Sequence, residues 1–211
     1  MTAFITHCLR NARLDRVGLL LCACLLAAYG ALARAEPAQT EISALRLERD
    51  GDGIVLTANV KFELAAAVQE ALFKGVPMVF VAEVDIFRER WYWTNKKVVS
   101  AQRHMRLAYQ PLTRRWRLNV ASGLITQAGL AVALNQNFDA LADALAAVQR
   151  LSRWKIADVA DLDLEQRHLV EFRFGMDMSQ LPRPFQIGTL GQTDWNISVS
   201  SSQPLLMDSA K

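Results

Sequence analysis

The sequence predicts a mainly β, α+β fold: a single antiparallel β-sandwich-like domain of about eight strands with two helices packed on it. Three observations predict it. Apolar and polar residues alternate with period two through most of the body, most cleanly in 168–177, where Val170, Phe172, Phe174 and Met176 alternate with Glu171 and Arg173. Apolar residues recur at helical spacing in two short segments, 65–74 and 138–151. No strand–helix–strand unit carries a Gly-rich phosphate loop, so a doubly wound nucleotide fold lacks its signature. No Pro-, Gly- or Ser-rich stretch divides the body, and residues 36–211 are expected to form one domain with a real core.

The first 35 residues stand apart. Arg10, Arg13 and Arg16 form a positive flank, residues 17–32 are an uncharged apolar run, and Ala33-Arg34-Ala35 puts small residues where a signal peptidase reads them. This three-part pattern predicts export, with cleavage between Ala35 and Glu36 and a periplasmic body. Two alternatives remain. The run of 16 residues, uncleaved, would be an N-terminal membrane anchor, though about 20 residues are needed to span a bilayer. Cys24 would otherwise be a lipid acceptor, with an unusually short apolar stretch before it. Setting this segment aside changes the charge. The whole chain has 24 basic and 21 acidic residues, and removing four arginines and Asp15 leaves 20 of each. Cys8, Cys22 and Cys24 all lie in the same segment. The body is therefore neutral and free of cysteine, which excludes a disulfide-stapled fold, a cysteine zinc site and a cysteine nucleophile there.

The body begins with two alternating runs, 42–49 and 54–62, around Asp50-Gly51-Asp52-Gly53. An Asp-Gly turn between such runs predicts a β-hairpin. The same tetrapeptide lacks the further acidic ligands of a calcium loop, and turn chemistry accounts for its glycines. Residues 65–74 form the first helix: Val68, Ala71 and Leu72 share a face, and Lys74, Gly75 and Pro77 stop it. A strand follows from Met78, with Phe80, Ala82, Val84 and Ile86 on one face and Glu83, Asp85 and Glu89 on the other. Further strands are expected at 98–109, 115–121, 153–158, 168–177 and 194–200. The second helix spans 138–151, capped by Asn137, with Asp139 in its first turn, Arg150 in its last and Leu141, Ala144, Leu145 and Val148 buried. The Ser200-Ser201-Ser202 run reads as the last strand entering a flexible tail over about 203–211.

Motifs for chemistry are sparse. His104 and His168, each flanked by arginines, have no ligand partner three or four residues away and read as surface residues. A pair of carboxylates among Asp161, Asp163 and Glu165 would suit acid–base work, but a solvated connecting loop is the default reading. No nucleophile elbow or zinc-helix motif occurs. Asn196-Ile197-Ser198 matches a glycosylation acceptor inside an expected strand and carries no argument. No cofactor and no metal are expected.

The unusual stretch is 88–117. It holds Arg88, Arg90, Lys96, Lys97, Arg103, Arg106, Arg114, Arg115 and Arg117 against the single acid Glu89, and interleaves Trp91, Tyr92, Trp93, Tyr109 and Trp116. In a cytoplasmic protein this mixture suggests nucleic acid. The export signal redirects it toward lipid headgroups, acidic glycans and acidic protein surfaces. A structural reading competes: strand alternation would bury Trp116, Leu118 and Val120 beneath a solvated row of Arg115, Arg117 and Asn119, with ion pairs to neighbouring strands.

The body resembles an uncharacterised proteobacterial family, domain of unknown function 4390. The resemblance rests on Glu70-Ala71-Leu72-Phe73-Lys74-Gly75, on Arg88-Glu89-Arg90-Trp91-Tyr92-Trp93 and on Leu107-Ala108-Tyr109-Gln110-Pro111-Leu112-Thr113-Arg114. It continues in Leu181-Pro182-Arg183-Pro184-Phe185-Gln186 and Asp194-Trp195, and covers nearly all of 41–200. It implies an exported bacterial protein, supplies no catalytic residue, and by gene association suggests a membrane sensor kinase as partner. The two prolines of 181–186 make that segment a stiff connection or a presented docking peptide.

The leading expectation is a periplasmic, non-enzymatic interaction protein that binds an envelope partner through Arg88, Arg90, Trp91, Tyr92, Trp93, Arg114, Arg115, Trp116 and Arg117. One alternative is a lipid or small-molecule binding domain with Trp91, Trp93 and Phe172 lining a cavity. The other is an envelope hydrolase that uses His104 or His168 beside a carboxylate or serine in a cleft.

Overall fold

The hairpin around the Asp-Gly turn forms. In the computed structural model, which describes residues 40–90, 92, 94–122, 134–163, 166–183, 185 and 195–205, β1 (Glu41–Asp50) pairs antiparallel with β2 (Gly53–Lys61). Gly51 takes φ +59°, a conformation that only a residue without a Cβ adopts freely. A register shift between Ile42 and Ala44 leaves Ser43 as an extra residue. This bulge explains why Ala44 and Leu45 break the sequence alternation: Leu45 and Leu47 turn inward while Ala44 and Arg46 stay exposed.

Helix α1 (Ala66–Phe73) buries Val68, Ala71 and Leu72. Its end is a Schellman motif, with Gly75 N–H donating to the Leu72 carbonyl at 2.8 Å and Val76 N–H to that of Ala71 at 3.0 Å. Gly75 has φ +85° with open space where a Cβ would sit. Gly75→Ala is therefore expected to cost about 1 kcal/mol from backbone strain alone, measurable as a lowered urea midpoint without any change in fold.

The larger sheet follows. β3 (Met78–Arg88), β4 (Lys96–Gln110), β5 (Arg115–Ser122), β6 (Leu134–Phe138), β8 (His168–Met176) and β9 (Ser198–Pro204) are ordered β6-β5-β4-β3-β8-β9. β7 (Arg150–Asp158) joins the hairpin as β1-β2-β7, and every pairing is antiparallel. The two sheets enclose one apolar cluster. Ile54, Leu56, Ala58 and Val60 of β2 contribute to it, as do Phe80, Ala82, Val84 and Ile86 of β3 and Val170, Phe172 and Phe174 of β8. Phe62, just after β2, bridges the sheets with ring centroids 5.4 Å from Phe80 and 5.5 Å from Phe174. The fold is thus a mainly β, sandwich-like α+β domain. The described elements all lie in one compact unit, Ala38–Lys211.

Several boundaries differ from the sequence reading. Helix α2 is Leu141–Gln149, shorter than expected, with Ala140 at its N-cap and no side-chain cap. Asn137 belongs instead to β6, Asp139 pairs with Arg115, and Arg150 starts β7. β6 itself is an added ninth strand, which its polar core Asn135-Gln136-Asn137 disguises; it is held at the sheet edge by pairing with β5 and by the Asn119–Asn135 side-chain hydrogen bond. β9 starts four residues later than the expected 194 and takes in the serine run, Gln203 and Pro204. Trp195 and Ile197 are buried ahead of it, so burial rather than pairing explains their apolar character. In 181–186, Leu181 is buried and the Phe185 ring sits 6.4 Å from that of Trp195, as a stiff internal connection would. Pro184, Gln186, residues 206–211 and the export segment lie outside the described residues.

Candidate functional site

The basic stretch 88–117 follows β4, and β4 separates its two halves. Fifteen residues at about 3.3 Å each put Lys96 and Gln110 about 45 Å apart. The β3–β4 turn with Arg90 and Tyr92 lies at one end, and the β4–β5 turn with Arg114 and Arg115 at the other. The nine candidate residues therefore do not form one surface. Trp91 and Trp93 lie outside the described residues. Trp116 is 2% exposed, because β5 turns it inward with Leu118; it is a core residue and not a surface anchor. Arg103 points the same way and lies 4.8 Å over the Trp154 ring. Its burial lowers its pKa.

At the β4–β5 end the turn spans residues 111–114, closed by the Gln110–Arg115 pair and by the Thr113 hydroxyl donating to Gln110 Oε1 at 3.2 Å. Leu112 at its tip is 101% exposed. Arg114 takes φ +54°, where glycine or asparagine would be less strained. Beside the turn, Phe73 at the end of α1 is 52% exposed. Its ring meets Tyr109 at 5.5 Å and Trp116 at 5.2 Å, both edge-on, and those two rings lie 4.8 Å apart. The buried Trp116 thus supports a half-buried Tyr109 and an outward Phe73. Arg115 and Arg117 project from the opposite face of β5. Arg115 Nε donates to Asp139 Oδ1 at 2.8 Å; this bond raises the arginine's pKa and lowers the aspartate's. Both groups are solvated, so the pair adds little stability.

The outer face of the larger sheet carries a charged network. Asp85 is 2% exposed and accepts from Lys97 Nζ at 2.8 Å, Arg173 Nη2 at 2.7 Å and Ser100 Oγ at 2.7 Å. Arg173 also reaches Glu83 at 3.2 Å and Glu171 at 3.0 Å. Burial acts to raise the Asp85 pKa, but the hydrogen bonds from Lys97, Ser100 and Arg173 outweigh it and hold the carboxyl below its ordinary value. The Arg173 pKa is raised, first by its bond to Asp85. Next to this network lies a groove of about 720 Å³ lined by Glu83, His104, Arg173, Gly175, Asp177 and Ser198 among others. Val81 and Gly175, which pair across β3 and β8, also line it. Burial would raise the Asp177 pKa, but bonds from Ser179 and Gln180 and the charge of His104 lower it overall.

His104 and His168 are 3% and 4% exposed, a correction to their reading as surface residues. Strand alternation turns His168 to the inner face with Val170 and Phe172, whereas His104 lies opposite the inward Arg103, on the outer face, and lines the groove there. Phe172 is fully buried in the core and lines neither the 720 Å³ groove nor the 660 Å³ groove beside Leu118 and Leu134. Asp161 accepts from the Asp158 N–H at 3.3 Å and Asp163 from Gln166 Nε2 at 2.8 Å, so both serve local turns; Glu165 lies outside the described residues. Asp50, at the end of β1, pairs with Arg153 of β7. Among the described residues, no three His, Cys, Asp or Glu side chains are grouped to hold a metal ion, and no helix is long and apolar enough to cross a membrane.

A family model described as Domain of unknown function (DUF4390) matches residues 38–203. The chain belongs to this family. No curated protein and no solved structure matches it. Two of the segments that carry the DUF4390 resemblance, 70–75 and 107–114, meet in space, through the Phe73–Tyr109 ring contact. Neither Phe73 nor Leu112 belongs to a buried pattern in the sequence. Phe73 lies outside the helical stripe of α1, and Leu112 sits in a Pro-initiated turn where an apolar side chain has no core to enter; these were the available signals.

Proposed function

We propose that this DUF4390 protein is an exported, periplasmic, non-enzymatic interaction protein that acts on an envelope partner such as the outer region of a membrane sensor kinase. It meets that partner with the end of the sandwich made by the β4–β5 turn and the end of α1. The observation that carries this reading is the fully exposed Leu112, next to the half-exposed Phe73 and to an Arg114 held in a left-handed conformation. Two apolar anchors beside positive charge suit a partner with an apolar socket and an acidic rim. The double variant Leu112→Asp, Arg114→Glu removes the tip anchor and the positive charge at exposed positions and leaves Phe73 in place. It is expected to keep the wild-type melting temperature and to weaken capture of the sensor-kinase outer region more than tenfold. Undiminished capture with unchanged salt dependence would sink the reading.

Export rests on residues 1–35. The intact mass of the protein recovered from the periplasm is expected to begin at Glu36, whereas a retained apolar segment would point to the anchor. A second reading, a binding domain for a small polar molecule, is favoured by the 720 Å³ groove, whose size falls within the usual range for ligand sites of about 300–1,000 Å³. Native mass spectrometry of freshly isolated protein tests it: a retained small molecule, released in a Gly175→Leu variant, would support it.

A further inference from the structure

We propose that Arg88 and His168 form a binding site for a phosphate group at the β3–β4 end of the sandwich. The two residues are register partners across β3 and β8, so their Cβ atoms lie about 5 Å apart on one face. That face is the inner one, continued by Ile86 and Val170. Arg88 Nε and His168 Nε2 are both buried, and neither has a hydrogen-bond partner. His168 as a whole is 4% exposed. A buried donor without an acceptor costs about 1–3 kcal/mol, and native folds seldom tolerate two as neighbours.

Two nearby carbonyls each already accept a backbone hydrogen bond. The His168 carbonyl accepts from Leu205 N–H at 2.8 Å, and the Arg167 carbonyl from Glu89 N–H at 3.0 Å. The carboxylates of Glu83, Asp85 and Glu171 face the other side of the sheet, held by Arg173. What fits two adjacent inward donors is an oxyanion with at least two free oxygens, which the guanidinium recognises by geometry as well as charge. His168 donates from Nε2 as the Nε2–H tautomer or as the imidazolium.

The surroundings favour phosphate over a monoanion. Arg90, Lys96 and Arg167 are exposed around the same end of the sandwich, against the exposed Glu89 and Asp163, and Lys97 is already engaged by Asp85. Phosphate offers the charge and the oxygens to engage several cations at once. Its source is a phospholipid headgroup or free phosphate.

The test uses the full exported chain. Inorganic phosphate is titrated while the His168 imidazole nitrogens are followed by NMR, and flotation is measured with phosphatidylglycerol vesicles and with neutral vesicles that lack phosphate headgroups. A saturable shift of His168 is expected, weakened at least tenfold in Arg88→Gln and also in Arg88→Lys. Arg88→Lys keeps the charge but removes Nε, so it stays informative if the first variant folds poorly. Flotation with phosphatidylglycerol that both variants lose identifies the lipid headgroup; a His168 shift with free phosphate and no flotation identifies the free ion. No shift and no flotation, or equal binding by the variants, overturns the site.

Discussion

Trp116→Ala is expected to destabilise the protein by about 3–5 kcal/mol, the range for removing a large aromatic ring from a core. Trp116 is nearly inaccessible and packs against Tyr109 and Phe73, so its loss opens a cavity under the end of α1 as well as along β5. A tryptophan acting as a solvent-facing anchor would cost far less, within about 0.5 kcal/mol for an ordinary surface change. Urea unfolding separates the two. A midpoint close to that of the wild type would contradict the inward placement. The same result bears on function, because Phe73 is held outward by resting on Trp116. Loss of binding in Trp116→Ala would therefore report a collapsed support, and the exposed Leu112 and Arg114 are the proper positions for binding variants.

Asp85→Ala is expected to cost about 1.5–3 kcal/mol, the range for hydrogen bonds to a charged group. Asp85 is buried and accepts three charge-assisted or hydroxyl hydrogen bonds, whereas Lys97 and Arg173 reach solvent and Arg173 keeps two other carboxylates. The stranded partners thus add little, and the loss comes from the bonds and packing at Asp85 itself. The network also sets an acid response. The Asp85 and Asp177 pKa values are depressed in the folded state. Their contribution is full above the unfolded carboxylate value of about 3.9 and is lost as pH falls through the folded values. Urea midpoints between neutral pH and strong acid should fall steeply below that value in the wild type and less steeply in Asp85→Asn. Parallel curves would contradict the assignment.

The fold was legible where pattern and packing agree. The alternation in β3 and β8, the Asp-Gly hairpin and the Lys74-Gly75 stop follow directly from local chemistry. β6 was not legible, because an edge strand with three polar residues in a row carries no period-two signal. β9 was misplaced for the opposite reason: Trp195 and Ile197 look like a strand but are buried by packing, while the real strand is mostly serine. The candidate surface divided for a topological reason. Sequence proximity along 88–117 became distance along β4, since a long strand carries its two ends apart. Nothing local in the sequence joins Phe73 to Tyr109, or Asp85 to Arg173 on β8, because both contacts exist only once the sheet is assembled.

The most direct test of the interaction surface is photo-crosslinking in the native envelope with a photo-reactive residue in place of Leu112. One dominant adduct is expected, with the outer region of an envelope protein bearing an acidic surface, and it disappears when Arg114→Glu is added. Absence of any protein adduct from position 112, or an adduct that Arg114→Glu leaves unchanged, would contradict the proposed surface.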